Sequence, residues 1–306
     1  MSASEFFQAI VDALVLGSLS GMLSAGFGLI LGVTGRFHFA FATTFACSAY
    51  VAIALVGAEM PLYLAILVGV LCAVVLGVAI EWLFYRPLVR KTRHALLGVF
   101  VTSLGIVIVG ENVIQLLAGS SDENLNVGYT VSRISFGGGV GVTTLDLVTF
   151  GVSVLIIAGL WAFIRFARYG RAIRAVQENP SMAQAVGINP ALVAIVVFAV
   201  ASAISGLGAI LLTQRGAASP SAGLQPTLTA LVVAFLAGLR SSPLRFAVAA
   251  VLVALLQQLC LLAIGAVWTP VLTFGILFVY IALSPLLNMH RLPGMPRLRL
   301  RPAPGG

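Results

Sequence analysis

The sequence predicts an all-α integral membrane protein of about nine (8–10) transmembrane helices, with its N-terminus outside and its C-terminus cytoplasmic. Three observations predict it. Hydrophobic residues make up 60% of the chain and charged residues 8%, against roughly 25% charged in an ordinary soluble domain. So apolar a chain has too little polar surface to cover its own core, and lipid must supply part of the solvent. Apolar runs of bilayer length recur along the chain, and fifteen of its 17 Lys and Arg fall on one side of the resulting layout.

A hydrocarbon core needs roughly 20 helical residues, and backbone polar groups find no water there, so such runs are helical. The expected spans are 13–34, 39–57, 62–84, 95–118, 147–164, 191–213, about 223–239, 246–264 and 269–288. Together they form a polytopic domain over residues 1–289, followed by a basic cytoplasmic tail at 290–306. The first residues carry Glu5 and Asp12 and no basic residue, so nothing resembles the n-region of a cleaved signal and the first span is expected to stay. Arg36, then Arg86, Arg90, Lys91 and Arg93, then Arg165, Arg168, Arg171 and Arg174 gather on one side, joined by Arg240, Arg245 and four arginines of the tail. Arg133 and Arg215 fall opposite. Positive charge marks the cytoplasmic face, so the net charge of +8 reads as juxtamembrane anchoring and not as nucleic-acid binding.

The seventh span is short. Its uninterrupted apolar part, Thr227 to Leu239, has 13 residues, about 20 Å of helix. A broken crossing, extended by residues before Pro226, keeps the basic tail cytoplasmic where a re-entrant dip would not, and interrupted helices often line transport paths. Gly17 and Gly21, Gly28 and Gly32, and Ser202 and Gly206 are small residues four apart, as expected where helices pack closely within the chain. The segment Gly28-Leu29-Ile30-Leu31 has a faint echo in Gly208-Ala209-Ile210-Leu211. The external loop, 119–146, holds Asp122, Glu123 and the glycine run Gly137–Gly139. Neither a lysine nor a following helix start marks that run as a phosphate cradle.

Catalytic patterns are absent. The single lysine, Lys91, is preceded by Arg90 and not by the glycine of a nucleotide-binding loop. His38, His94 and His290 are scattered, so no metal site is expected, and no cofactor either. Cys47, Cys72 and Cys260 lie far apart in sequence without zinc or redox spacing and read as apolar filler. Lacking a nucleotide-binding loop, the chain therefore cannot hydrolyse ATP by that route.

Polar groups inside apolar spans are the candidate functional residues. Glu111 and Asn112 lie within the fourth span with Gln115 a turn on. A charge near mid-membrane costs about 2.5–3.5 kcal/mol or more, so these residues face either a cavity on the translocation path or an interhelical partner. Glu81 stands at the inner end of the third span, where Arg86 and Arg90 are its expected ion-pair partners.

The segment 165–190 reads as a coupling element. Asn179-Pro180 is an N-cap followed by proline at the first helical position, Gly187 suits a left-handed stop, and Asn189-Pro190 starts the next helix in the same way. The helix between them, Pro180 to Val186, is under two turns and cannot persist without packing. Displayed beside Gly170, Arg171 and Arg174, it reads as a docking element for a cytoplasmic partner, the alternative being a surface-lying connector.

These residues carry a resemblance. Gly170-Arg171-Ala172-Ile173-Arg174, then Ala183 to Gly187-Ile188-Asn189, together with Glu81-Trp82-Leu83-Phe84-Tyr85-Arg86-Pro87-Leu88, are similar to motifs of the permease subunits of branched-chain amino acid ABC importers, the LivH-like type. Element order and length agree along nearly the whole chain. Where relatives have Asn-Phe-Ala-His-Gly this chain has His38-Phe39-Ala40-Phe41-Ala42, and a late Gly-Gly-x-Gly-Ser turn is here Ala237 to Ser241. The resemblance implies a type II ABC importer-like permease in the inner membrane of a bacterium. Its implied partners are a second permease subunit, cytoplasmic ATP-binding subunits and an external solute-binding protein, and its implied solute is a branched-chain amino acid or a related amino-acid or amide compound. It further implies ATPase coupling through Gly170, Arg171, Arg174, Glu178, Asn179, Ala183, Gly187 and Ile188, and a structural inner-end motif of Glu81, Tyr85, Arg86 and Pro87. The residues alone leave open an ion-coupled secondary transporter using Glu111, or a membrane scaffold.

Overall fold

A computed structural model of the chain describes residues 3–91, 95–125, 132–135, 141–239 and 241–289. The tail 290–306, Arg93 and His94, the run Gly137–Gly139 and Arg240 lie outside the described residues. The helices are α1 (Ala3–Thr34), α2 (Phe41–Gly57), α3 (Leu62–Ala79), α4 (Arg86–Lys91), α5 (Ala95–Ala118), α6 (Thr144–Phe166), α7 (Arg168–Glu178), α8 (Pro180–Ala185), α9 (Pro190–Thr213), α10 (Leu224–Ala237), α11 (Pro243–Ala263) and α12 (Thr269–Met289). A π-helical turn, Ile80–Tyr85, joins α3 to α4, and a short antiparallel hairpin, β1 (Arg133–Ser135) with β2 (Gly141–Thr143), precedes α6.

Among the described residues seven stretches are long and apolar enough to cross a membrane: Ser4–Thr34, Leu62–Arg90, Leu96–Ala118, Thr144–Phe166, Pro190–Thr213, Pro243–Ala263 and Ala266–Leu283. The other two expected spans, α2 and α10, are apolar but have only 17 and 14 residues, about 26 and 21 Å of helix. Each is preceded by irregular backbone that the protein itself buries. His38, Phe39 and Ala40 lead into α2 at no more than 7% exposure. Before α10, Ala218 lies 3% exposed, its carbonyl accepting from the Tyr50 hydroxyl at 3.0 Å. Non-helical backbone is tolerated at membrane depth only when its polar groups are satisfied in this way.

Two boundaries differ from expectation, both on the side expected to be external. Helix α1 starts at Ala3, so Asp12 lies inside a helix, where the Gln8 amide reaches its carboxylate at 3.1 Å. Helix α6 starts at Thr144, so Asp146 is not a loop residue. It forms a capping box with Thr143, each side chain bonding the other's backbone N–H, and its free oxygen pairs with Arg215 at 2.8 Å. Local helix-end chemistry prevails there over the hydropathy profile.

Helix α1 runs through the middle of the bundle and packs on α6, α9, α10 and α11. Small residues set the spacing. A Cβ on Gly17 would lie 2.7 Å from Val251 Cα, and one on Gly21 2.9 Å from Ala247 Cα, so α1 and α11 meet backbone to backbone. On the α3–α9 seam a Cβ on Gly77 would fall onto the Ser202 hydroxyl. The small-residue pairs thus serve packing inside the chain. That packing also brings Cys47 of α2 within 3.7 Å, sulfur to sulfur, of Cys72 of α3, two residues that sequence separation had kept apart.

Candidate functional site at the inner end of the bundle

The π-helical turn at the C-terminal end of α3 sorts its side chains sharply. Glu81 and Tyr85 are buried at 2% and 0% exposure, while Trp82, Leu83 and Phe84 point outward. π turns are rare and frequently mark functional positions. Glu81 does not pair with Arg86 or Arg90 as expected. Its carboxylate oxygens accept from Arg36 Nη1 at 2.8 and 2.7 Å, because the turn aims Glu81 back into the bundle, toward the segment joining α1 to α2. Two residues beyond Arg36, His38 Nδ1 hydrogen-bonds the Tyr85 hydroxyl at 2.9 Å, and its ring lies edge-on against Phe41, Tyr85 and Phe198. The cage buries the ring completely and would solvate an imidazolium poorly. Two polar staples, Arg36–Glu81 and His38–Tyr85, thus hold the α1–α2 connection to the π turn. Arg36 and His38 are functional candidates that sequence reasoning missed. Pro87, of the same motif, is partly buried in α4.

The segment 165–190 folds as its caps dictate. Asn179 Oδ1 accepts from the N–H groups of Ser181 and Met182, both at 3.1 Å, and starts α8. Gly187 stops it at φ +84°, with Gly187 N–H bonded to Gln184 O at 3.0 Å and Ile188 N–H to Ala183 O at 2.9 Å. Asn189 then caps α9 through the Ala191 N–H at 3.0 Å. Gly170 lets α7 turn tightly under α6, where any Cβ would strike the Phe163 carbonyl. Ile173 and Val176 of α7 and Ala183 of α8 are buried, whereas Met182 and Val186 are 65% and 71% exposed. Arg174 Nη1 donates to the Ile164 carbonyl and Arg171 Nη1 to the Phe166 carbonyl at 3.4 Å, so both side chains also cap the C-terminal end of α6. Glu178, ending α7, is exposed.

The path candidates of α5 are brought to no shared cavity. Glu111 is partly exposed, and Asn112 and Gln115 are exposed. The Asn112 amide turns onto its own helix, donating to the Ile108 carbonyl at 2.7 Å. Their neighbours Leu116 and Leu117 are 85% and 83% exposed, so this end of α5 faces away from the bundle. Among the described residues no group of three or more His, Cys, Asp or Glu could hold a metal.

This arrangement has relatives. The profile of the family described as branched-chain amino acid transport system, permease component, matches residues 9–282. The high-affinity branched-chain amino acid transport system permease protein LivH of Escherichia coli is 29% identical over 248 residues, 78% of this chain and 80% of that protein. The corresponding BraD protein of Pseudomonas aeruginosa is 28% identical over 252 residues, 78% and 81%. The galactose/methyl galactoside import permease protein MglC of Salmonella typhimurium is 26% identical over 194 residues, 60% and 54%. PsaBC from Streptococcus pneumoniae, solved in complex with Fab, shares the fold with a TM-score of 0.53 at 14% identity, covering 94% of this chain and 95% of that one. The chain belongs to the branched-chain amino acid transport system permease family, as an integral membrane permease subunit of an ABC importer.

Proposed function

We propose that this chain forms the membrane path of an importer for branched-chain amino acids or a related amino-acid or amide solute, and that α7 and α8 receive cytoplasmic ATPases. Nine crossings, α2 and α10 being the two short ones, place the N-terminus outside and the C-terminus in the cytoplasm of a bacterium, with the basic clusters inside. The relatives' names support the solute class. On the outer side, the 119–146 region and the Asp146–Arg215 pair stand where an external solute-binding protein docks.

The observation that carries the reading is α8. A six-residue helix capped at both ends and anchored by buried Ala183 presents Met182 and Val186 outward. Such a helix is stable only when packed, and two bare apolar side chains on an otherwise polar cytoplasmic segment fit a groove on a partner. Asn112 and Gln115, bare on α5, are polar groups that lipid does not solvate, so a second permease subunit covers that face and the path runs along it with Glu111. Coupling then needs two membrane conformations that the ATPases bias through different contacts at α8.

The test uses the assembled importer in proteoliposomes. Met182→Glu with Val186→Glu leaves the caps intact and places charges on the docking face. Insertion and binding of the external protein persist, while ATPase association, solute-stimulated ATP hydrolysis and uptake fall together. Gly187→Val, which strains a φ of +84° by about 1–2 kcal/mol, gives the same pattern more mildly. Wild-type stimulated turnover in both variants makes α8 a mere connector. Uptake that collapses with the proton gradient while ATP persists indicates a secondary transporter instead.

A further inference from the structure

Between the π turn and the α7–α9 segment lies a cavity of about 520 Å³, walled by Arg36, Glu81, Arg86, Arg90, Gln184 and Asn189 among others. Three guanidiniums face a single carboxylate, and Arg36 already occupies both oxygens of that carboxylate. Arg86 Nε is buried without a hydrogen-bond partner, and Arg90 forms no ion pair among the described residues. The cavity therefore holds a surplus of two positive charges and a buried donor aimed at nothing.

We propose that this cavity binds a phosphate group, presented by the headgroup of an anionic lipid or as free phosphate. Arginine forks match phosphate oxygens two at a time, and basic recesses between helices on the cytoplasmic side of a membrane suit anionic headgroups. The π turn itself favours the lipid source. Trp82, Leu83 and Phe84 point outward from it at 57%, 54% and 49% exposure, as aromatic and apolar residues do at a membrane interface. Its Ile80 and Phe84 also line an apolar groove of about 580 Å³ against α2 and α5, where an acyl chain would lie. Gln184 and Asn189 come from the segment that the proposed function assigns to ATPase docking, so a bound phosphate ties that segment to the end of α3. The inference rests on that reading only for this consequence, since binding is measured without transport.

The experiment is native mass spectrometry of the full chain released from phosphatidylcholine nanodiscs doped with phosphatidylglycerol. Wild type retains phosphatidylglycerol over phosphatidylcholine. Arg86→Gln/Arg90→Gln lowers that retention about thirty-fold, and exposed Arg90→Gln alone about five-fold; the single variant carries the test if the double one fails to fold. Arg86→Lys/Arg90→Lys keeps most of the binding, and Arg165→Gln, which lines a separate recess with Arg174 and Gln177, keeps all of it. Release of the lipid by added inorganic phosphate assigns the site to a soluble anion, and its persistence assigns it to lipid. Equal phosphatidylglycerol retention by wild type and both glutamine variants, with no phosphate competition, overturns the proposal and leaves the importer reading intact.

Discussion

The Arg36–Glu81 pair permits a prediction whose asymmetry comes directly from burial. The Glu81 side chain is 3% exposed and that of Arg36 15% exposed, at 2.7 Å. Removing the cation by Arg36→Met strands a buried carboxylate without its hydrogen-bonded guanidinium, leaving Arg86 and Arg90 only across the cavity. Breaking a buried pair from this side costs about 3–5 kcal/mol, because the remaining charge is neither solvated nor compensated. Glu81→Gln is milder, about 1–3 kcal/mol: glutamine still accepts one hydrogen bond, and Arg36 lines the cavity beside it, where its charge finds water. In the double variant Arg36→Met/Glu81→Gln no buried charge remains, so it costs little more than Glu81→Gln alone. The coupling energy from the four proteins then approaches the whole cost of Arg36→Met, about 3–5 kcal/mol. Reversible unfolding in mixed detergent micelles, titrated with SDS and followed by tryptophan fluorescence, measures all four. Additive costs, or Glu81→Gln costing more than Arg36→Met, refute the reasoning, since either outcome means the carboxylate does not depend on this arginine.

Three further outcomes follow from other parts of the chain. His38→Leu keeps the aromatic cage filled but removes the 2.9 Å bond to the Tyr85 hydroxyl, costing about 1–3 kcal/mol in the same unfolding titration, and an unchanged midpoint counts against the staple. At Glu111, Glu111→Gln alters uptake at unchanged assembly and Glu111→Leu harms at least as much if the residue lines the path; a silent Gln with a mildly destabilising Leu makes it an interhelical tie. Reporter fusions after Gly306 and within the 119–146 region give opposite signals for the proposed nine crossings, and like signals end that topology.

What the sequence discloses depends on how local the determining interaction is. The caps of α8 and α9 were legible because an N-cap and a left-handed stop act over three or four residues, and Asn179, Gly187 and Asn189 each do what their positions foretell. The Glu81 to Pro87 motif stood out as a cluster, yet its partners did not. Arg36 and His38 lie 45 and 47 positions away, and the π turn that directs Glu81 toward them breaks the 3.6-residue periodicity from which facing directions are inferred. Nearby Arg86 was the natural expectation for a helix of regular pitch. Hydropathy located every apolar helix but misplaced the starts of α1 and α6, where Asp12 and Asp146 are held by Gln8 and by a capping box and so sit within helix. The polar face of α5 was legible as costly in lipid, and within this chain Asn112 and Gln115 stand exposed.

The staples give the docking proposal a mechanical consequence. Among the described residues helix α8 packs chiefly on its neighbours α7 and α9, whereas α7 packs also on α6 and on α1. A partner that moves α8 therefore moves α7, and α7 meets the inner end of α1 where Gln177 lies against Gly32. Four residues beyond Gly32 stands Arg36, whose ion pair, together with the His38–Tyr85 bond, fastens the α1–α2 connection to the π turn of α3. Tightly packed helices such as α1 and α11, in backbone contact at Gly17 and Gly21, shift as units and do not absorb a displacement. A π turn differs, because its i→i+5 hydrogen bonds hold one residue more than an α-helical turn, and it can relax by passing that residue along the chain. If partners dock on α8 as proposed, the end of α3 is a place where a displacement arriving from α8 can be converted into a change of helix register, beside exposed Trp82 and Phe84 rather than in the close-packed α1–α11 seam.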